Sequence, residues 1–118
     1  MICAIILSME KISEVVSDLC KSYLPKIKAV GITFDIDFPD TTITIENKKE
    51  IKEHLEKSMK SAIKRSKNGS IKLSVRKGEI KLEDTGTIID KTTCKKLSSE
   101  HFIVKSRVGF GTTFTIKY

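Results

Sequence analysis

The stretch that decides the fold runs from Ser70 to Ile89 and reads SIKLSVRKGEIKLEDTGTII. Apolar and polar residues alternate along both of its halves, which predicts two β-strands joined by a turn at Lys77-Gly78. The second strand ends at Asp84, and Gly86 follows closely. A carboxylate at the end of a buried strand, followed by glycine, is a place where a nucleotide pocket can form.

The segment before this hairpin begins with an apolar run and continues as a helix. Residues 2–7 (ICAIIL) predict a short strand, and Ser8 is a candidate N-cap. Apolar residues then recur at helical spacing over residues 12–27. Pro25 is expected to kink or stop this helix, and Gly31 closes it.

Two strands and a second helix complete the segment that precedes the hairpin. The alternating residues 32–38 and the short run 41–46 predict strands on either side of a Pro-Asp turn. Asn47 opens the helix with Glu50 as its capping-box partner, and Asn68-Gly69 ends it. The predicted buried stripe consists of Ile51, Leu55, Met59, Ala62 and Ile63. The predicted exposed face carries Lys48, Lys49, Lys52, Lys57, Lys60, Lys64, Arg65 and Lys67.

The last third of the chain predicts a polar loop and a final hairpin. Residues 87–99 are weakly patterned, with one helical turn around 92–97, and the arms of the hairpin meet at residues 108–111. Helices with one apolar stripe and strands with one apolar face suit a two-layer α/β sandwich. The expected class is therefore α+β, with helices on one face of a mixed, mostly antiparallel sheet.

Length and composition predict one soluble domain that spans residues 1–118. The chain has 118 residues, of which 39% are hydrophobic and 31% charged, enough for a single core. It contains no membrane-spanning apolar run, and its first residues lack the features of a signal peptide. Cys3, Cys20 and Cys94 are widely spaced, which predicts reduced cytoplasmic thiols without a zinc site. The formal charge of +7 is compatible with an acidic partner, with nucleic acid or with a solvated lysine-rich surface.

This element order and four local sequences resemble the ATP-binding domain of sensor histidine kinases, in the wider Bergerat-fold family of Hsp90, gyrase and MutL. Residues 31–34 (GITF) resemble an early strand, and residues 57–66 (KSMKSAIKRS) the asparagine-rich helix. Residues 80–89 (IKLEDTGTII) resemble the DxGxG box. Residues 106–116 (SRVGFGTTFTI) resemble the terminal S-x-x-G-x-G-T-x-F turn, the most specific of the four.

The resemblance implies a nucleotide site at four positions. Asp84 matches the aspartate that reads the adenine amino group, and Gly86 matches the glycine that permits close approach of the ligand. Thr112 matches the threonine that supports this carboxylate. Lys64 matches a lysine near the phosphates.

Other positions depart from the family pattern. The metal-coordinating asparagine falls at Ser61, a weaker oxygen ligand for magnesium, and an earlier asparagine falls at Lys57. The third position of the DxGxG box is Ile88 rather than glycine. Residues 87–99 contain no glycine and replace a long glycine-rich ATP lid, so few backbone amides remain to hold phosphate. No catalytic residue and no metal site are therefore assigned, and ATP turnover is not expected.

Three functions remain open on sequence alone. The first is a degenerate histidine-kinase-like ATPase domain that serves as a non-catalytic module for another signalling protein and needs no cofactor. The alternative is a minimal domain that binds ATP or ADP without well-coordinated magnesium, or transfers phosphate, together with a partner protein. The third is nucleic-acid binding through the lysine-rich face of residues 48–67. None of the three involves a membrane.

Overall fold

The computed structural model describes residues 10–118, so the predicted strand at 2–7 and the predicted cap at Ser8 lie outside the described residues. In chain order the elements are β1 (Glu10–Lys11), α1 (Ile12–Ala29), β2 (Thr33–Asp37), β3 (Thr44–Ile45), α2 (Lys48–Arg65), β4 (Ser70–Arg76), β5 (Glu79–Asp84), α3 (Lys91–Leu97), β6 (Phe102–Arg107) and β7 (Gly111–Lys117).

Five of these strands form one sheet in the order β2-β4-β5-β7-β6. The β2–β4 pair is parallel, and the three other pairs are antiparallel. The hairpin from Ser70 to Ile89 supplies β4 and β5 at the middle of the sheet, with Gly78 in the left-handed region at its turn (φ 83°). The short strands β1 and β3 pair separately. The predicted α+β class and mixed, mostly antiparallel sheet are confirmed.

The core lies between one face of this sheet and the helices. Ile71, Leu73 and Val75 alternate with polar neighbours along β4, and all three are buried. They join the apolar stripes of α1 and α2 in one hydrophobic cluster, the arrangement that period-2 strands and period-3.6 helices produce together. The opposite face of the sheet carries the polar residues and is covered by no described helix. No described helix is long and apolar enough to cross a membrane.

Several sequence predictions are wrong in detail. The first helix passes through Pro25 and ends at Ala29; Pro25 and Lys21 are exposed, so water can reach the carbonyl that loses its partner. The predicted strand at 41–46 is reduced to Thr44–Ile45. The capping box is not formed: Asn47 does precede the first helical residue, but its side chain makes no cap bond.

The turn between β6 and β7 depends on close packing at one glycine. Gly111 has a φ of 88°, and an added Cβ would overlap the carbonyl group of Asp84. We therefore expect Gly111→Ala to lower the free energy of unfolding by about 3 kcal/mol or more, because backbone strain and overlap add. Urea unfolding measures this loss.

Gly109→Ala is the matched control. Gly109 has a similar φ of 84° but faces open space, so only the left-handed strain remains, at about 1–2 kcal/mol. Equal losses in the two variants would contradict the packing role assigned to Gly111.

Candidate functional site

The site that the sequence singles out is centred on Asp84, the last residue of β5. Its side chain is completely buried, and its backbone lies opposite Thr112 of β7. The amide of Gly86 donates to Asp84 Oδ1 at 3.0 Å. A buried carboxylate needs further hydrogen bonds and a counter-charge, and one side chain supplies both.

That side chain is Arg65, the last residue of α2. Its Nη2 lies 2.7 Å from Asp84 Oδ2, and its Nη1 donates to Asp84 Oδ1 at 3.1 Å. The two parallel contacts form the bidentate fork that guanidinium and carboxylate favour. The Arg65 side chain is only 13% exposed. Both oxygens of Asp84, the carboxylate that the resemblance assigns to adenine recognition, therefore accept hydrogen bonds from Arg65.

The prediction that Arg65 lies on the exposed face of α2 is wrong. Arg65 follows Ala62 by three residues, and Ala62 follows the buried Ser58 by four. These are the spacings that place helical side chains on one face, so Arg65 continues the buried stripe. Sequence reasoning missed it because a cation was assigned to solvent by residue type rather than by helical phase.

The guanidinium makes three further hydrogen bonds. Nε donates to Ser61 Oγ at 3.1 Å, and Nη1 reaches the Thr87 carbonyl at 2.7 Å and Thr112 Oγ1 at 3.1 Å. Ser61 stands where the resemblance places a magnesium ligand, and Thr112 where it places the residue that supports the carboxylate. One arginine therefore connects the sequence-predicted positions Ser61, Asp84 and Thr112.

Gly86 lies against the end of α2. An added Cβ would overlap the Arg65 carbonyl oxygen and Ser66 Oγ, so glycine is needed for this approach. The amide of Thr87 donates to the same Arg65 carbonyl at 3.1 Å, and thereby satisfies one of the free carbonyls at the helix end. In this structure Gly86 allows the loop after β5 to pack against the end of α2.

The segment between β5 and β6 is short and well bonded. Asp90 caps α3, with its Oδ1 accepting from the Thr93 amide at 2.8 Å. Ser106 Oγ accepts from the Ile89 amide and shares a hydrogen bond with Thr112 Oγ1. Ile88, which stands at the third position of the DxGxG box, is 48% exposed, whereas Arg65 lies next to Asp84.

Lys64, the one lysine of the predicted site, does not join it, and neither does Lys57, which stands at a family asparagine position. Lys64 and Lys57 are exposed on α2, and neither makes a contact with Asp84. Lys64 precedes Arg65 by one residue, which on a helix turns its side chain about 100° away.

Other chemistry has little support among residues 10–118. No cluster of metal-ligating side chains is found there. Burial raises the pKa of the Cys20 thiol and that of Cys94, as expected for packing residues rather than nucleophiles. His54 stacks on Phe102 with ring centroids 4.6 Å apart.

A cavity of about 240 Å³ borders Asp84, but it lies on the face of the sheet that no described helix covers. Its lining includes Lys72, Glu83 and Phe110, and strand alternation points the side chains of Lys72 and Glu83 away from the core. Because the Asp84 carboxylate has no solvent exposure, this cavity does not open onto it.

The architecture is that of the histidine-kinase catalytic domain. The nucleotide-free catalytic domain of histidine kinase ThkA matches with a TM-score of 0.73 and 17% identity, over 92% of this chain and 94% of that domain. ThkA in complex with the response regulator protein TrrA gives 0.66 and 16%, over 92% and 40%. Full-length ShkA in complex with AMPPNP gives 0.69 and 14%, over 91% and 30%.

These likenesses concern the fold alone, because all three identities are low. No protein-family model matches the sequence, and a search of curated proteins finds no match either.

The Arg65–Asp84 pair yields a stability prediction. We expect Arg65→Ala to lower the free energy of unfolding by about 3–5 kcal/mol, because it leaves a buried carboxylate without its counter-charge. The double variant Arg65→Met/Asp84→Leu should recover most of this loss, because it removes both charges. Chemical denaturation of the variants measures the effect.

Arg76→Ala is the control, since it removes another Arg–Asp pair. Arg76 Nη2 lies 2.6 Å from Asp37 Oδ2, but both side chains are largely exposed, so its loss should be small. A similar loss in Arg65→Ala and Arg76→Ala would contradict the burial argument.

Proposed function

We propose that this domain is a non-catalytic signalling module with a histidine-kinase-type fold. In it, Arg65 makes the hydrogen bonds to Asp84 that a nucleotide would otherwise make. The observation that carries the proposal is the bidentate ion pair between Arg65 and Asp84. The pair uses both carboxylate oxygens, and it also engages Ser61 and Thr112.

Energetics favour the ion pair over adenine. Removal of Arg65 from a buried carboxylate costs about 3–5 kcal/mol. A hydrogen bond from the adenine amino group to a charged acceptor returns about 1.5–3 kcal/mol. Adenine therefore does not displace the guanidinium unless further contacts assist it.

The phosphate and metal positions support the same proposal. Ser61 accepts from Arg65, and a cation beside that hydroxyl opposes the binding of magnesium. The segment from 87 to 99 is a short capped helix with irregular flanking residues and contains no glycine. It offers few free backbone amides for a triphosphate, so neither ATP hydrolysis nor phosphotransfer is supported.

Another signalling protein is the proposed partner. ThkA, which shares this fold, is seen in complex with a response regulator protein, so the fold is compatible with such assemblies. A domain without nucleotide chemistry can still bind a signalling protein, because such binding does not require the Asp84 site.

The second candidate is a nucleotide-binding domain that a partner completes. Asp84, Gly86 and Thr112 do lie together, and ShkA of the same fold is seen with AMPPNP. This candidate requires a partner or ligand that draws Arg65 away from Asp84.

Calorimetric titration with ADP, AMPPNP and magnesium-ATP tests the proposal. We expect the wild-type protein to show no binding at millimolar nucleotide, whereas ShkA binds AMPPNP in the same assay as the positive control. Binding by the wild-type protein that disappears in Asp84→Asn, or ATP hydrolysis with the same dependence, would overturn the proposal in favour of the second candidate.

A further inference from the structure

One face of the sheet is covered by no helix among residues 10–118, and its β6–β7 end carries an apolar and cationic surface. We name it the Phe110 face and define it by Lys81, Lys105, Arg107, Phe110 and Lys117, which line a shallow groove of about 330 Å³. Strand alternation places the four basic side chains on the opposite side of the sheet from Asp84 and the helices, and Phe110 of the β6–β7 turn lines the same groove.

Phe110 is the apolar centre of this surface. It is 77% exposed, and its neighbour Val108 at the same turn is 79% exposed. A large aromatic side chain left in water is a candidate anchor for a partner, because its burial contributes strongly to binding. Arg107 lies over the ring at 5.2 Å, so apolar area and positive charge are adjacent.

The charge of the groove is strongly one-sided. Four of its lining residues are basic, and Glu79 is its acidic member. Glu79 lies 3.9 Å from Lys81, whereas Lys105 and Lys117 form no ion pair with any of residues 10–118. The groove therefore presents uncompensated positive charge beside an exposed phenylalanine.

We infer that the Phe110 face docks an acidic protein segment that places an apolar side chain against Phe110. The inference rests on the proposed function, since it names the surface and the partner chemistry of that signalling module. Glutamate and aspartate side chains complement Lys105, Arg107 and Lys117, and such complementarity directs association and register.

Other occupants fit the surface less well. A second copy of this chain would bring one positive face against another. Single-stranded nucleic acid is bound on several stacked aromatic rings, whereas Phe110 is the sole aromatic side chain in the groove, which also contains Glu79. The lysine-rich exposed face of α2 contains no aromatic residue.

Fluorescence anisotropy with a labelled peptide of repeating Glu-Glu-Leu triplets tests the inference. We expect saturable binding that weakens as salt is raised, because the charges are exposed. Lys105→Glu/Arg107→Glu should weaken it by about tenfold or more, and Phe110→Ser should weaken it without altering its salt dependence. A peptide with serine in place of leucine should bind the wild-type protein more weakly.

Lys52→Glu/Lys60→Glu is the charge-matched control, since it makes the same change in net charge on α2. Circular dichroism and urea unfolding verify that all variants fold. Undiminished binding by this control supports the inference, whereas equal loss in both double variants would show non-specific attraction and overturn it. Absence of peptide binding at millimolar concentration, or tighter binding of single-stranded oligonucleotide, would also overturn it.

Titration of the same proteins with ADP separates the two proposals. If neither ADP nor peptide binds, the docking surface is refuted and the proposed function stands. If ADP binds the wild-type protein, the proposed function is refuted whatever the peptide does.

Discussion

A buried carboxylate must be paired, and in this protein the pairing of Asp84 with Arg65 determines how the ends of several elements meet. The ion pair joins the last residue of α2 to the last residue of β5, and through Thr112 it reaches β7. Gly86 and Gly111 permit the close approach that the pair requires, since a Cβ at either would overlap backbone. The need to pair the Asp84 carboxylate thus explains why glycine is found at positions 86 and 111.

The same position shows how one carboxylate can serve either a ligand or the protein interior. In the resemblance to histidine kinases, the carboxylate at the end of this strand reads adenine; here its hydrogen-bonding capacity is used within the chain. A carboxylate that binds a ligand and a carboxylate that is paired inside the protein both need hydrogen-bond donors. A single arginine from α2 can therefore take the place of the ligand. The fold-level likeness at 17% identity or less therefore says little about activity, and the contacts of Asp84 say more.

Periodicity predicted most of the fold, because strand and helix alternation is a local signal. The β4–β5 hairpin, the buried stripe of α2 and the mixed sheet all follow from it. Pro25 does not stop α1, because the carbonyl that loses its partner is exposed to water, and the helix ends just before Gly31, the predicted closing residue. Asp84, Gly86 and Thr112 match family positions with assigned roles, whereas Arg65 lies within the segment that resembles the asparagine-rich helix but matches no position with an assigned role. Its contacts with Asp84 and Thr112 join residues 19 and 47 positions apart, which no local pattern encodes.

The parallel pairing of β2 with β4 has a consequence for the order of assembly. The antiparallel pairs β4–β5 and β6–β7 connect neighbouring segments and close short loops. The β2–β4 pair instead aligns Thr33 with Ser70 across all of α2, so a long loop must close before any contact is gained. We therefore expect the two hairpins to form before β2 docks on β4 and before β7 docks on β5, because both of these pairings close long loops.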